Sequence, residues 1–327
     1  MSNDQSLLSI IMLCMIVLIT FSGFIFCLLL FYAHRAFHRI FNRPYPLPPF
    51  DRSPIDIKQD TTYGRGLNWF YSNRMDFEDI KMTSYDGLEL SAYFRRPKNN
   101  PSRRLVILLH GWKESPSIMA AFAQMYIESM DCNILIVHMR AHGMSEGRYI
   151  GFGLPDSQDL LMWTALMEER LKGPLSIFYH GWSMGATTAL MAAGSRALPP
   201  SVKGVVADCP FDSFDNEIRH IIRTRYHFAP QFFIKMINYF SKKHVGYSLH
   251  QISPVSRAKY ITVPVLLIHG TADTFIPPRM SEAIYGKLLL NKKIFLVQDA
   301  GHVMSYEVAP SGYTSQVEQI LGASGMK

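Results

Sequence analysis

Six short apolar runs recur from residue 105 onward: 105–109, 134–137, 175–179, 202–207, 265–268 and 294–297. Each has the length of one strand, and none alternates polar with apolar, so each predicts a strand buried on both faces. Between them lie helical stretches, at about 117–129, 155–171, 184–197 and 278–289. Strands that alternate with helices require crossover connections, hence a parallel sheet covered on both sides. Ahead of this rhythm, 77–83 and 88–94 predict a strand pair joined by an Asp86-Gly87 turn.

One interval breaks the rhythm. Between Asp208 and Val263 no strand signal occurs, which is far longer than an ordinary connection. It carries Arg219, Arg223, Arg225, Lys235, Lys242 and Lys243, with Phe232, Phe233, Met236, Ile237 and Phe240 at helical spacing. The spacing predicts a helix packed on the core. In its sharper form this insert, 209–262, is a cap that also meets anionic lipid.

At the other end, residues 7–32 hold no charged side chain, a run longer than the ~20 residues that cross a bilayer core. A signal peptide would need a basic start, a shorter apolar stretch and a small-x-small cleavage site. The first six residues offer Asp4 and no Lys or Arg. The run is therefore expected to be an uncleaved, single-pass transmembrane helix. Arg35, Arg39 and Arg43 follow it, which by the positive-inside rule puts the C-terminal bulk in the cytoplasm. The expected layout is a tail (1–6), the span (7–32), a basic, proline-rich juxtamembrane linker (33–75) and one domain (76–327). The proline run from Pro44 to Pro49 would act as a stiff spacer.

Composition limits the partners. The net charge of +7 comes without a basic-aromatic strip, so no nucleic-acid partner is expected. Four scattered cysteines form no CxxC pair, which argues against disulfide, redox or metal frameworks. The sequence leaves the oligomeric state open.

The chemistry concentrates at Gly181-Trp182-Ser183-Met184-Gly185, between a strand signal and a helix signal. A sharp strand-to-helix turn projects the serine, small flanking residues tolerate the crowding, and the helix N-terminus offers free N–H groups. A serine hydroxyl needs an imidazole base and a carboxylate to orient it, in the chain order Ser, acid, His. Asp273 ends the loop after the strand at 265–268, and His302 lies in the loop after the strand at 294–297. These are the expected acid and base. Asp208 also ends a strand and is the rival acid, while Asp299 lies too near His302 in sequence. An oxyanion needs two N–H donors. Met184 should supply one, and the loop His110-Gly111-Trp112-Lys113 the other, through Trp112 or, as second choice, Lys113. His110, His180 and His269 read as buried structural histidines. His138 and His142 lie on a strand and a loop rather than one helix face, so they are not read as a zinc pair.

These motifs, with Arg140-Ala141-His142-Gly143-Met144-Ser145-Glu146-Gly147 between them, resemble the α/β-hydrolase superfamily over about 77–321. The likeness is greatest to bacterial membrane-anchored members with esterase- or peptidase-like chemistry. It implies an α/β-hydrolase fold: a mostly parallel, eight-stranded sheet with helices on both faces, here with an added N-terminal transmembrane helix. It also implies a structural role for the Arg140 to Gly147 loop and no metal or other cofactor. The expected activity is hydrolysis of a carboxylic ester, on a small-molecule or lipid-like acyl substrate, through Ser183, His302 and Asp273. A thioesterase or acyltransferase and a serine peptidase would use the same residues. A membrane-tethered binding protein with a dead site is the alternative from another class.

Overall fold

The structure, a computed structural model, describes residues 2–44, 58–97, 102–226 and 231–323. Most of the proline run expected as a spacer, Tyr45 to Pro49, lies outside the described residues. Eight strands form one sheet in the order β1-β2-β4-β3-β5-β6-β7-β8. They are β1 (Glu78–Thr83), β2 (Glu89–Arg95), β3 (Arg104–Leu109), β4 (Asn133–Val137), β5 (Ser176–Trp182), β6 (Val202–Asp208), β7 (Val265–Gly270) and β8 (Lys292–Val297). The β1–β2 pair is antiparallel, as the Asp86-Gly87 turn predicts, and β2 also runs antiparallel to β4. Every other pairing is parallel.

The buried runs divide their side chains between two cores, because successive residues of a strand point to opposite faces. Leu105, Ile107 and Leu109 face one core, with Ile177, Tyr179, Val205 and Leu267. Val106 and Leu108 face the other, with Phe178, Val206, Leu266 and Ile268. The first core is covered by α1 (Ser2–Phe41), α4 (Leu154–Leu171), α5 (Met184–Ala193), α6 (Phe214–Tyr226) and α7 (Gln231–His244). The second is covered by α2 (Thr62–Ser72), α3 (Ala120–Met130) and α11 (Pro310–Ala323). Short helices α8 (Pro254–Arg257), α9 (Arg279–Lys287) and α10 (Ser305–Val308) complete the chain.

The segment expected as a linker is instead largely structural. Helix α1 runs unbroken for 40 residues and is long and apolar enough to cross a membrane. Its first part exposes large apolar side chains, from Leu7 to Phe26. Its last turns enter the domain, where Ala33, Phe37 and Phe41 are fully buried. These three lie four residues apart on one face, while Arg35 and Arg39 on the other faces stay exposed. The basic residues that follow the apolar run thus interleave with a core-facing stripe. The orphan carbonyls at the end of α1 are capped by the domain. Trp112 Nε1 donates to Ile40 O at 2.9 Å, and Lys113 Nζ to Arg39 O at 2.6 Å. Helix α2 likewise packs on the domain, with Tyr63 and Phe70 buried. Its Tyr63 hydroxyl donates to Val303 O at 2.6 Å, beside His302.

The insert forms two main helices. Helix α7 buries Ile234, Met236 and Ile237 in the core, the packed-helix form of the expectation. It also lies along α1: Phe232 meets Phe26 at a ring separation of 5.8 Å, and His244 stacks on Phe37 at 5.3 Å. Helix α6 flanks the loop after β7, where His220 Nε2 donates to Thr274 O at 2.8 Å.

This packing sets where the chain tolerates truncation. Removing residues 1–28 should leave a monodisperse, cooperatively melting protein. Removing residues 1–43 should give an aggregating one, because Phe37 and Phe41 go with it. Phe37→Ala in the full chain should cost about 3–5 kcal/mol, read from denaturant unfolding in detergent.

Candidate active site

The turn from β5 into α5 holds Ser183 at φ 52° and ψ −118°, a left-handed conformation that costs a non-glycine residue about 1–3 kcal/mol. The surroundings hold it there. Ser183 N–H donates to Asp208 O at 2.8 Å. A Cβ on Gly181 would stand 2.3 Å from the Gly185 carbonyl carbon, and one on Gly185 would stand 2.1 Å from Leu109 O. Both glycines are therefore required by close backbone approach, and the second presses the start of α5 against the end of β3.

The structure brings Ser183, His302 and Asp273 into one hydrogen-bonded series. His302 Nε2 lies 3.1 Å from Ser183 Oγ, and His302 Nδ1 lies 2.7 Å from Asp273 Oδ2. A carboxylate oxygen only accepts, so Nδ1 carries the proton and Nε2 presents its lone pair to the serine. Asp273 Oδ1 accepts from Phe275 N–H and Ile276 N–H, each at 2.9 Å. Burial alone would raise the Asp273 pKa. Hydrogen bonds from His269 and His302, the electrostatic attraction of His302 and the Ile276 N–H outweigh it and lower the value to about 2. Asp273 is thus ionised at neutral pH. The rival, Asp208, accepts from Ser305 Oγ at 3.3 Å and has no bond to His302 among the described residues. Burial above all raises its pKa to about 7.

In the loop after β3, Lys113 N–H is already taken by His142 Nε2 at 2.9 Å. Neither Trp112 N–H nor Met184 N–H has an internal acceptor among the described residues. His110 is fully buried, with Nδ1 2.8 Å from Gly111 O and Nε2 accepting from Met139 N–H, so it shapes this turn. His138 Nδ1 accepts from Met144 N–H at 2.9 Å, and His180 lies between the Tyr126 and Tyr313 hydroxyls. Within the loop that opens at Arg140, that guanidinium grips Asp159 with two bonds of 2.8 Å and also binds Asp86. Burial opposes its charge, but these carboxylates keep it ionised.

Four supporting residues escaped the sequence. His269, read as a core histidine, is fully buried against Ser281 Oγ and Ile276 O, yet its Nε2 also stands 3.3 Å from Asp273 Oδ2. The His269-Gly270-Thr271-Ala272-Asp273 spacing was the available signal. Glu114 is buried, and its Oε2 accepts from Gly111 N–H at 2.7 Å and Trp182 Nε1 at 2.6 Å. It ties the loop after β3 to the residue before Ser183. Burial pushes its pKa up to about 7 against those two bonds. Cys209 is buried at φ 44°, and burial with the Asp208 and Asp273 charges raises its pKa, so the thiol is neutral. Its Sγ lies within 4.8 Å of donor atoms on Asp273 and His302. Glu217 on α6 is buried with neither carboxyl oxygen partnered among the described residues. Burial, then Asp273 and Asp212, raise its pKa to about 9, so it is protonated at pH 7.

Residues 154–316 match the model of the Prolyl oligopeptidase family. YqkD of Bacillus subtilis (strain 168) is 28% identical over 270 residues, covering 81% of this chain and 85% of that protein. The Pyrococcus furiosus esterase Pf2001 superposes with a TM-score of 0.63 at 22% identity, covering 85% of this chain and 97% of that one. The alpha/beta hydrolase GrgF from Penicillium sp. sh18 superposes with a TM-score of 0.57 at 15% identity, covering 75% and 97%. The two structural likenesses carry the fold.

Glu114 offers a test of how this site is braced. Glu114→Ala orphans the Gly111 N–H and the Trp182 indole N–H, each worth about 1–3 kcal/mol when buried without a partner. The substitution should lower the unfolding midpoint accordingly, with Glu114→Gln recovering part of the loss by keeping an acceptor oxygen.

Proposed function

We propose that this chain, a member of the α/β-hydrolase superfamily, is a membrane-anchored serine hydrolase that cleaves carboxylic esters of small or lipid-like acyl groups. The observation that carries this reading is the series Ser183 Oγ, His302 Nε2, His302 Nδ1 and Asp273 Oδ2, closed by hydrogen bonds of 3.1 and 2.7 Å. It supports the following mechanism. Ser183 Oγ attacks the acyl carbon as His302 Nε2 takes its proton. Asp273, ionised throughout, holds His302 in the required tautomer and stabilises the imidazolium. The N–H groups of Trp112 and Met184 receive the oxyanion. His302 returns the proton to the departing alkoxide. Water, deprotonated by His302, then attacks the acyl-serine, and release of the acid restores Ser183.

Esters are the preferred substrates because an alkoxide leaves with less assistance than an amine. A peptide or acyl-amide substrate is the second reading, favoured by the match to the Prolyl oligopeptidase family over 154–316. The exposed apolar length of α1, which continues without a break into the core, supports an uncleaved membrane anchor. The basic residues after the span orient the domain to the cytoplasm. A reporter fused to the C-terminus tests that side, and activity of an export-dependent reporter overturns it.

Hydrolysis of p-nitrophenyl esters of graded acyl length, set beside peptide p-nitroanilides, tests the main reading. Ser183→Ala should fall to the background rate, and Asp273→Asn should lose about 10⁴-fold in kcat. A well-folded wild type that neither turns over these substrates nor labels at Ser183 with a fluorophosphonate would sink the proposal. Preference for the anilides would move the assignment to peptidase.

A further inference from the structure

Away from the catalytic turn, three histidines meet where α1 enters the domain. His34 and His38 stand one turn apart on the same face of α1, with their Nε2 atoms 2.9 Å apart. A histidine pair at this spacing is by itself a common accident of helical sequence. Here a third ring arrives from another element: His244 ends α7, with ring centroids 6.0 Å from His34 and 5.7 Å from His38. One donor nitrogen from each of the three lies within 4.8 Å of the others.

The surroundings organise these donors. His38 Nδ1 lies 2.9 Å from Asn42 Oδ1, an oxygen that can only accept. Nδ1 therefore carries the proton, and the Nε2 lone pair points into the cluster. Fixing the tautomer of a ligating histidine through its far nitrogen is the usual duty of an outer partner at a metal site. All three rings are half-buried and walled by aromatics, with Phe240 at 4.9 Å from His34 and Phe37 stacked on His244 at 5.3 Å.

We propose that His34, His38 and His244 bind one divalent transition-metal ion of the zinc type, which bridges the N-terminal helix to the α6–α7 insert. Three neutral imidazoles are the donor set such ions prefer, at about 2.0–2.1 Å with a fourth position left to water. Tetrahedral ligands at that radius sit about 3.3 Å apart, so small ring rotations, with the His34 proton moving from Nε2 to Nδ1, convert the present cluster. Lys243 and Arg148 lie nearby, and their charge opposes any cation held only by electrostatics. Magnesium and calcium, which need oxygen donors, are therefore poor occupants. This site is separate from Ser183 and does not depend on the hydrolase reading.

The test uses the full chain in detergent micelles, stripped with chelator and titrated with Zn²⁺ alone. One equivalent should bind per chain, and His244→Gln should weaken binding at least tenfold. Asn42→Ala, which leaves every ligand in place, should weaken it about 10–100-fold. Co²⁺ bound to the unmutated chain should give the strong visible absorption of a low-coordinate nitrogen site, a readout that no folding defect can mimic. An octahedral, weakly absorbing Co²⁺ spectrum overturns the proposal. So does zinc binding unchanged by His244→Gln, which would place the ion on Cys209, Asp273 and His302 instead.

Discussion

The parallel registration of β5 between β3 and β6 is the constraint on which the site rests. Parallel strands end together, so the loops after β3, β5, β7 and β8 converge on one edge of the sheet. The pairing of Leu109 with Gly181, and of Trp182 with Asp208, brings the ends of three strands level. Gly185 can then pack on Leu109 O, Ser183 N–H can reach Asp208 O, and His302 can span from Asp273 to Ser183. A shift of one residue in this register would turn Ser183 away from His302.

Much of this was legible in the sequence because the signals were local. Six of the eight strands announce themselves as apolar runs, and the turn at Asp86-Gly87 marks the other two. Ser183, Asp273 and His302 each follow such a run in a loop whose place in the order restricts its role. What stayed hidden was assembled from distant segments. Phe37 and Phe41 looked juxtamembrane because Arg35, Arg39 and Arg43 interleave with them, and only the fold shows that one helical face turns inward. Glu114 carried no motif, since its partners are a backbone N–H three residues back and an indole on another strand. His269 was read correctly as buried, but its approach to Asp273 depends on how the loop after β7 curls.

The segment between the apolar run and the first strand has therefore changed meaning. As a linker it would have had no bearing on chemistry. In the structure its two helices touch both halves of the site. The end of α1 is held by Trp112 and Lys113, from the loop that offers the candidate oxyanion donor. Helix α2, through Tyr63 and Val303, braces the loop that carries His302. Arg43 extends the first connection by donating to Gly143 O at 2.7 Å, within the loop that begins at Arg140.

The absence of a hinge within α1 has a geometric consequence. A helix rises 1.5 Å per residue and resists bending, so the exposed stretch and the buried stretch share one axis. With the exposed stretch set in a bilayer, the domain could not drift outward as it would on a flexible leash. Ser183 would then stand at a nearly constant height above the lipid surface. Reach, as much as the shape of the site, would then decide what comes within range.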